Sequence, residues 1–198
     1  MRSTRVLIIA CALIVAAAGS AAAQDPAPAS SRPEQFFGVV GGGLATIKVS
    51  YEGAENTPHT GRGSVYLAFG GRIAPSVLMG VGLTADEYTQ NGQRTTTTGF
   101  EGFVRWYPGA PPVFLRVGFG MAAARLKFSD QNAGDNLVRR GVGLSFGIGW
   151  DIRLARHLSL TPEANWRLLA VGDIPIQGVN YRNVSANNWF VGAGVTIH

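Results

Sequence analysis

Ten charged side chains recur at spacings that return them to one side of an extended chain: Lys48, Arg72, Asp86, Glu101, Arg105, Arg116, Asp151, Arg153, Glu163 and Arg167. Glu101 and Arg105 lie four residues apart, Asp151 and Arg153 two, Glu163 and Arg167 four, and in a strand each such pair shares a face. Carboxylates and guanidiniums interleaved in this way can neutralise one another in a confined space through charge-assisted hydrogen bonds. They could also line a narrow path for a small solute. Nucleophilic chemistry is poorly supplied, because a base must stand beside its nucleophile and the chain offers three histidines, His59, His157 and His198. The same scarcity, with one cysteine at Cys11, argues against a metal site. No cofactor is expected, since the glycines fall inside extended stretches and form no strand-to-helix phosphate cradle.

The elements that hold these groups follow from composition and period. The chain has 198 residues, 46% hydrophobic and 15% charged, with 27 glycines, which allows one domain short of residues that favour water. Of its 17 basic side chains two are lysine, Lys48 and Lys127. Arg2 and Arg5 precede an apolar run from Val6 to Ala18, and Gly19 to Ala23 supply small residues for cleavage, so residues 1–23 are expected to be a signal peptide. A lipid-attachment reading of Ile8, Ile9, Ala10 and Cys11 fails because the apolar run continues past the cysteine. Residues 24–35, with Pro26, Pro28 and Pro33, are expected to form a flexible periplasmic leader. No run of Lys and Arg marks a face for nucleic acid, so none is expected as a partner.

From Phe36 to His198 apolar residues recur at every second position in eight segments. The clearest stripes are Val65, Leu67 and Phe69; Val113, Leu115, Val117, Phe119 and Met121; and Val142, Leu144, Phe146, Ile148 and Trp150. In the first segment the stripe is assigned to Phe37, Val39, Ala45 and Ile47, which puts Thr46 and Lys48 with the charged face. The connections alternate. Short ones fall at residues 74–76, 107–112 and near Ala155, and longer polar ones run from Glu52 to Arg62, Glu87 to Arg94, Ser129 to Arg139 and Val171 to Asn188.

Period two alone does not separate a barrel that is apolar outside from one that is apolar inside. The charged face is rich in glycine, as a crowded lumen requires and a soluble surface does not. Trp106, Trp150, Trp166 and Trp189 all fall on the apolar stripes near segment ends, as in the aromatic girdles of a membrane barrel. The expected fold is therefore all-β, an eight-stranded antiparallel up-and-down transmembrane β-barrel over residues 36–198.

The last segment, with Gly192, Val195 and Ile197 alternating toward His198, resembles the C-terminal signal of outer-membrane barrels, where an aromatic is usual at the end. The whole stretch from Phe36 is similar to the eight-stranded outer-membrane family that includes the OmpA transmembrane domain, OmpX and the opacity proteins. That resemblance implies the outer membrane as location and outer-membrane lipid and lipopolysaccharide as partners. It also implies a structural or cell-surface role through the outer loops, with an extracellular ligand left open. The alternatives are a narrow small-solute pore and an exported soluble ligand-binding barrel. Arg139 and Arg140 are candidates for meeting anionic headgroups. His157, Ser159 and Glu163 are spaced in a way that resembles outer-membrane lipid A deacylases, but their levels do not suit the outer leaflet, and no enzymatic activity is expected.

Overall fold

The alternating segments form strands that run up and down in sequence order. A computed structural model describes residues 36–50, 58–59, 61–90, 93–109, 112–127, 137–176 and 179–198. The expected signal peptide and leader, residues 1–35, lie outside the described residues. The strands are β1 Phe36–Ser50, β2 Pro58–His59, β3 Gly61–Ala74, β4 Val77–Gln90, β5 Gln93–Trp106, β6 Val113–Lys127, β7 Leu137–Trp150, β8 Ile152–Ala155, β9 Leu158–Ile176 and β10 Val179–Ile197. Eight are long. The two-residue β2 flanks β1, and β8 carries the line of β7 past Asp151 to pair with β9.

The sheet closes on itself because β10 pairs with both β9 and β1, the latter from Gly38 opposite Ile197 to Ser50 opposite Ser185. Closure leaves no long strand at an edge, which hydrocarbon demands of a β structure, since every unpaired backbone group there costs several kcal/mol. The outer face carries the large apolar side chains, among them Phe69, Phe119, Met121, Phe146 and Val191, all exposed. Arg105, Asp86 and Asp151 are fully buried within. This is the reverse of a water-soluble barrel, and it sets aside the soluble ligand-binding alternative.

One stripe is corrected. In β1 the outward residues are Phe36, Val40, Leu44, Thr46 and Lys48, while Phe37, Val39, Ala45 and Ile47 point inward. Both parities of β1 are apolar over most of its length, so period alone chose the more crowded one. Pairing decides instead: Leu44 faces Val191 and Val40 faces Leu67, which places the even residues on the outer wall with their partners.

The connections are also tighter than the sequence suggests. The polar composition of residues 87–94 and 171–188 predicts long loops, yet β4 reaches Gln90 opposite Gln93, and β9 and β10 each run 19 residues with two between them. A 19-residue strand tilted at 35–45° rises roughly 45–50 Å, nearly twice the ~25 Å apolar band, so this hairpin stands well clear of a bilayer.

Glycines on the inner face make room for rings. A Cβ at Gly149 would overlap the Phe114 ring, and one at Gly41 the Tyr66 ring. Gly149→Leu is expected to displace Phe114 and destabilise the barrel by about 1–3 kcal/mol. Urea titration of the barrel refolded in lipid would show this as a lowered midpoint, and an unchanged midpoint would contradict the packing described.

Candidate functional site

Side chains from all eight long strands meet inside the barrel in three tiers. Nearest the short turns, Asp151 accepts hydrogen bonds from Tyr107 Oη at 2.5 Å and Thr161 Oγ1 at 2.7 Å, and Thr161 contacts Thr196 at 2.6 Å. Beside them Ser159 Oγ lies 2.8 Å from His198 Nε2. Ile197 is the last outward residue, so His198 turns into the mouth of the barrel and does not occupy a lipid-facing position.

The middle tier is a chain of ion pairs. Arg105 lies 3.5 Å from Glu163, Glu163 lies 3.6 Å from Arg116, and Arg116 lies 2.5 Å from Glu101. Ser145 and Asn165 donate to the same carboxylates, at 2.6 Å to Glu101 and 2.9 Å to Glu163. Aromatic rings enclose the guanidiniums. Arg105 sits 4.4 Å from the Phe114 ring centre and 5.3 Å from that of Phe37, and Arg116 sits 4.1 Å from that of Phe103. Planar, weakly hydrated guanidiniums suit such stacked positions better than ammonium groups do.

In the outermost tier Asp86 is the hub. It accepts from Arg167 at 3.2 Å, from Asn188 at 3.0 Å and from Ser64, while Asn188 also donates to Tyr88 at 2.5 Å. Between this tier and the middle one lies a cavity of about 40 Å³, lined by Asp86, Thr97, Glu101, Ser145, Arg167 and Asn188. A water needs roughly 10–15 Å³ measured this way, so the space suits a few waters at most. Among the described residues Thr97 Oγ1 and Asn188 Oδ1 have no hydrogen-bond partner, as acceptors of a water's hydrogens would.

Seven of the ten charges singled out from sequence are thus brought together: Asp86, Glu101, Arg105, Arg116, Asp151, Glu163 and Arg167. Three are not. Lys48 is on the outer face because β1 is turned over, and is exposed. Arg72 is exposed at the short-turn rim, where the pairing of β3 with β4 slips beyond it. Arg153 curls onto the turn after β8, giving Nε to the Ala155 carbonyl at 3.3 Å and a terminal nitrogen to that of Arg156.

The neutral partners were missed. Ser64, Ser145, Thr161 and Asn165 share the charged parity, which is the available signal, and Tyr88 and Asn188 lie in stretches whose polar composition predicts loops. The trio His157, Ser159 and Glu163 is not assembled: His157 is exposed, Ser159 pairs with His198, and Glu163 belongs to the ion-pair chain. Arg139 and Arg140 lie on β7, not in the preceding loop. Arg140 is exposed on the outward parity, and the side chain of Arg139 lies outside the described residues.

On the outer wall Trp106 and Trp150 stand at the short-turn ends of β5 and β7, both about half exposed. Trp166 and Trp189 stack on β9 and β10 toward the other end, 5.6 Å apart at 14°. The family model described as "Outer membrane protein beta-barrel domain" matches residues 9–196. The chain belongs to this outer-membrane β-barrel family. No curated protein sequence matches it. Among solved structures it is similar to Neisserial surface protein A (NspA), with a TM-score of 0.54 and 16% identity over 82% of this chain and 96% of that one. It is also similar to Ail, the attachment invasion locus protein of Yersinia pestis, with a TM-score of 0.57 and 10% identity over 83% and 100%. At such identities the likeness is one of fold. As a member of this outer-membrane family the protein sits in the outer membrane, where barrels of this kind keep their short turns on the periplasmic side.

Glu163 is the carboxylate that two buried arginines share. Glu163→Ala is expected to leave Arg105 with no ion-pair partner among the described residues and cost about 3–5 kcal/mol, whereas Glu163→Gln, which fills the same space and keeps one acceptor oxygen, costs less. Equal urea midpoints for wild type and Glu163→Ala would show that the chain of pairs contributes little.

Proposed function

We propose that this outer-membrane barrel acts through its outer rim and the structure beyond it, as a structural and cell-surface interaction protein, and not through its lumen. The observation that carries this reading is the filled interior. At the level of Arg105, fully buried between Phe37, Phe103 and Phe114, described side chains occupy the lumen, and the cavity above them has room for a few waters. The four tryptophans act as two interfacial girdles on this reading. The lumenal charges hold the wall in register.

The outer rim supplies a surface of suitable charge. Arg140 on β7 faces Ala123 on β6, and Arg125 lies two residues beyond Ala123 on the same outward parity. Both are exposed, and diagonal neighbours of this kind lie roughly 7–8 Å apart. Such a pair suits anionic groups, whether lipid headgroups at the membrane surface or sulfated and phosphorylated saccharides outside it. Ail has been crystallised in complex with the heparin analogue sucrose octasulfate, and that structure shares this fold at a TM-score of 0.50 and 13% identity, covering 83% of this chain and all of the other. The precedent supports an anionic saccharide as the class of partner to try first.

Two measurements test the reading. Planar-bilayer recordings of the purified protein are expected to show no unitary conductance, and regular conductance steps would overturn the filled-lumen argument. Binding of a polysulfated saccharide to the barrel in nanodiscs is expected to weaken at least tenfold when Arg125 and Arg140 are both changed to Glu, and to fall with added salt. Undiminished binding by that double variant would remove the rim from the proposal.

A further inference from the structure

The reversed face of β1 places an ammonium group where the sequence pattern put none. Lys48 is exposed on the outer wall, and among the described residues it has no carboxylate partner. It borders a hollow of about 320 Å³ whose other walls are Thr46, Ile47, Asn187, Trp166 and Trp189. The pairing explains the grouping: Thr46 lies opposite Trp189, Lys48 opposite Asn187, and Trp166 opposite Trp189, so three adjacent strands deliver these side chains to one patch.

Its level in the membrane is set by chain length. Lys48 is twelve residues along β1 from Phe36 at the periplasmic end. At ~3.3 Å per residue and a tilt near 40°, that is a climb of roughly 30 Å, just past the outer edge of a ~25 Å apolar band. The hollow therefore opens at the headgroups of the outer leaflet. The Asn187 side-chain oxygen accepts the indole N–H of Trp166 at 3.1 Å, which fixes the amide and leaves its NH₂ group to meet a ligand. Trp189, 56% exposed and stacked on Trp166, offers a flat ring beside these donors.

An ammonium, an amide NH₂ and a hydroxyl beside an exposed indole face combine the means of holding a phosphate with a surface on which a sugar ring can lie. We propose that this hollow is a specific site for the phosphorylated sugar headgroup of an outer-leaflet glycolipid. Lys48 binds the phosphate, Asn187 and Thr46 hydrogen-bond to the sugar, and Trp189 supports its apolar face. The assignment rests on the outward-acting reading above, but it uses none of the residues of the Arg125 and Arg140 rim.

The test is native mass spectrometry of the detergent-released full-length barrel titrated with a bis-phosphorylated diglucosamine lipid, with phosphatidylglycerol and with phosphatidylethanolamine. One tight adduct is expected with the first, at least tenfold stronger than with either phospholipid. Lys48→Glu and Trp189→Ala should each weaken it about tenfold or more, and Lys48→Arg should keep it. The double reversal of Arg125 and Arg140 should also keep it, so loss of rim binding and loss of this site are separable. Heat-dependent gel migration confirms that each variant is folded, and Lys48→Gln serves if Lys48→Glu fails that check. Equal binding by wild type and the folded Lys48 variant would overturn the site. Equal binding of phosphatidylglycerol and the diglucosamine lipid would overturn the sugar assignment.

Discussion

Hydrocarbon cannot hydrogen-bond to a peptide group, and the architecture follows from that one constraint. A sheet in such a solvent must close, and here closure is the seam between β1 and β10, thirteen residue pairs from Gly38 and Ile197 to Ser50 and Ser185. Once eight strands are joined in a ring, the space within is narrow and side chains must fill it. That is why several inward glycines stand against large side chains on neighbouring strands. Gly149 leaves space for Phe114, Gly41 for Tyr66, and arginines reach across to carboxylates on distant strands.

The lumen is also where charge can be kept without facing lipid. Removing an ion from water is costly, and the cost is met only where the partner and the remaining hydrogen bonds are in place. Glu163 serves Arg105, Arg116 and Asn165, and Asp86 serves Arg167, Asn188 and Ser64. Arginine predominates over lysine because its flat cation can both fork toward a carboxylate and lie on a phenyl ring.

Much of this was legible in the sequence, for a physical reason. Lipid outside and charge inside impose a strict period of two, so Glu101, Arg105, Glu163 and Arg167 could be placed in the lumen from spacing alone. The rest was hidden where that contrast fades. In β1 both faces are apolar, because the barrel packs Phe37 and Val39 inside as readily as lipid receives Phe36 and Val40 outside, and Lys48 was carried to the wrong side with them. Arg72 and Arg153 sit beside register shifts, where parity no longer reports direction. Tyr88 and Asn188 lie where polar composition suggested a loop, although paired strands continue there beyond the bilayer.

The span of the lumenal contacts bears on how the barrel comes into being. Asp86 meets Arg167 across 81 residues and Asn188 across 102, so its tier unites β4 with the last two strands. No partial sheet of neighbouring strands can form these pairs. A half-built wall would present its carboxylates and guanidiniums unmatched, and would be held back from the hydrocarbon by them. The buried charges of this tier are thus all matched only when β4 and the last two strands share one closed wall.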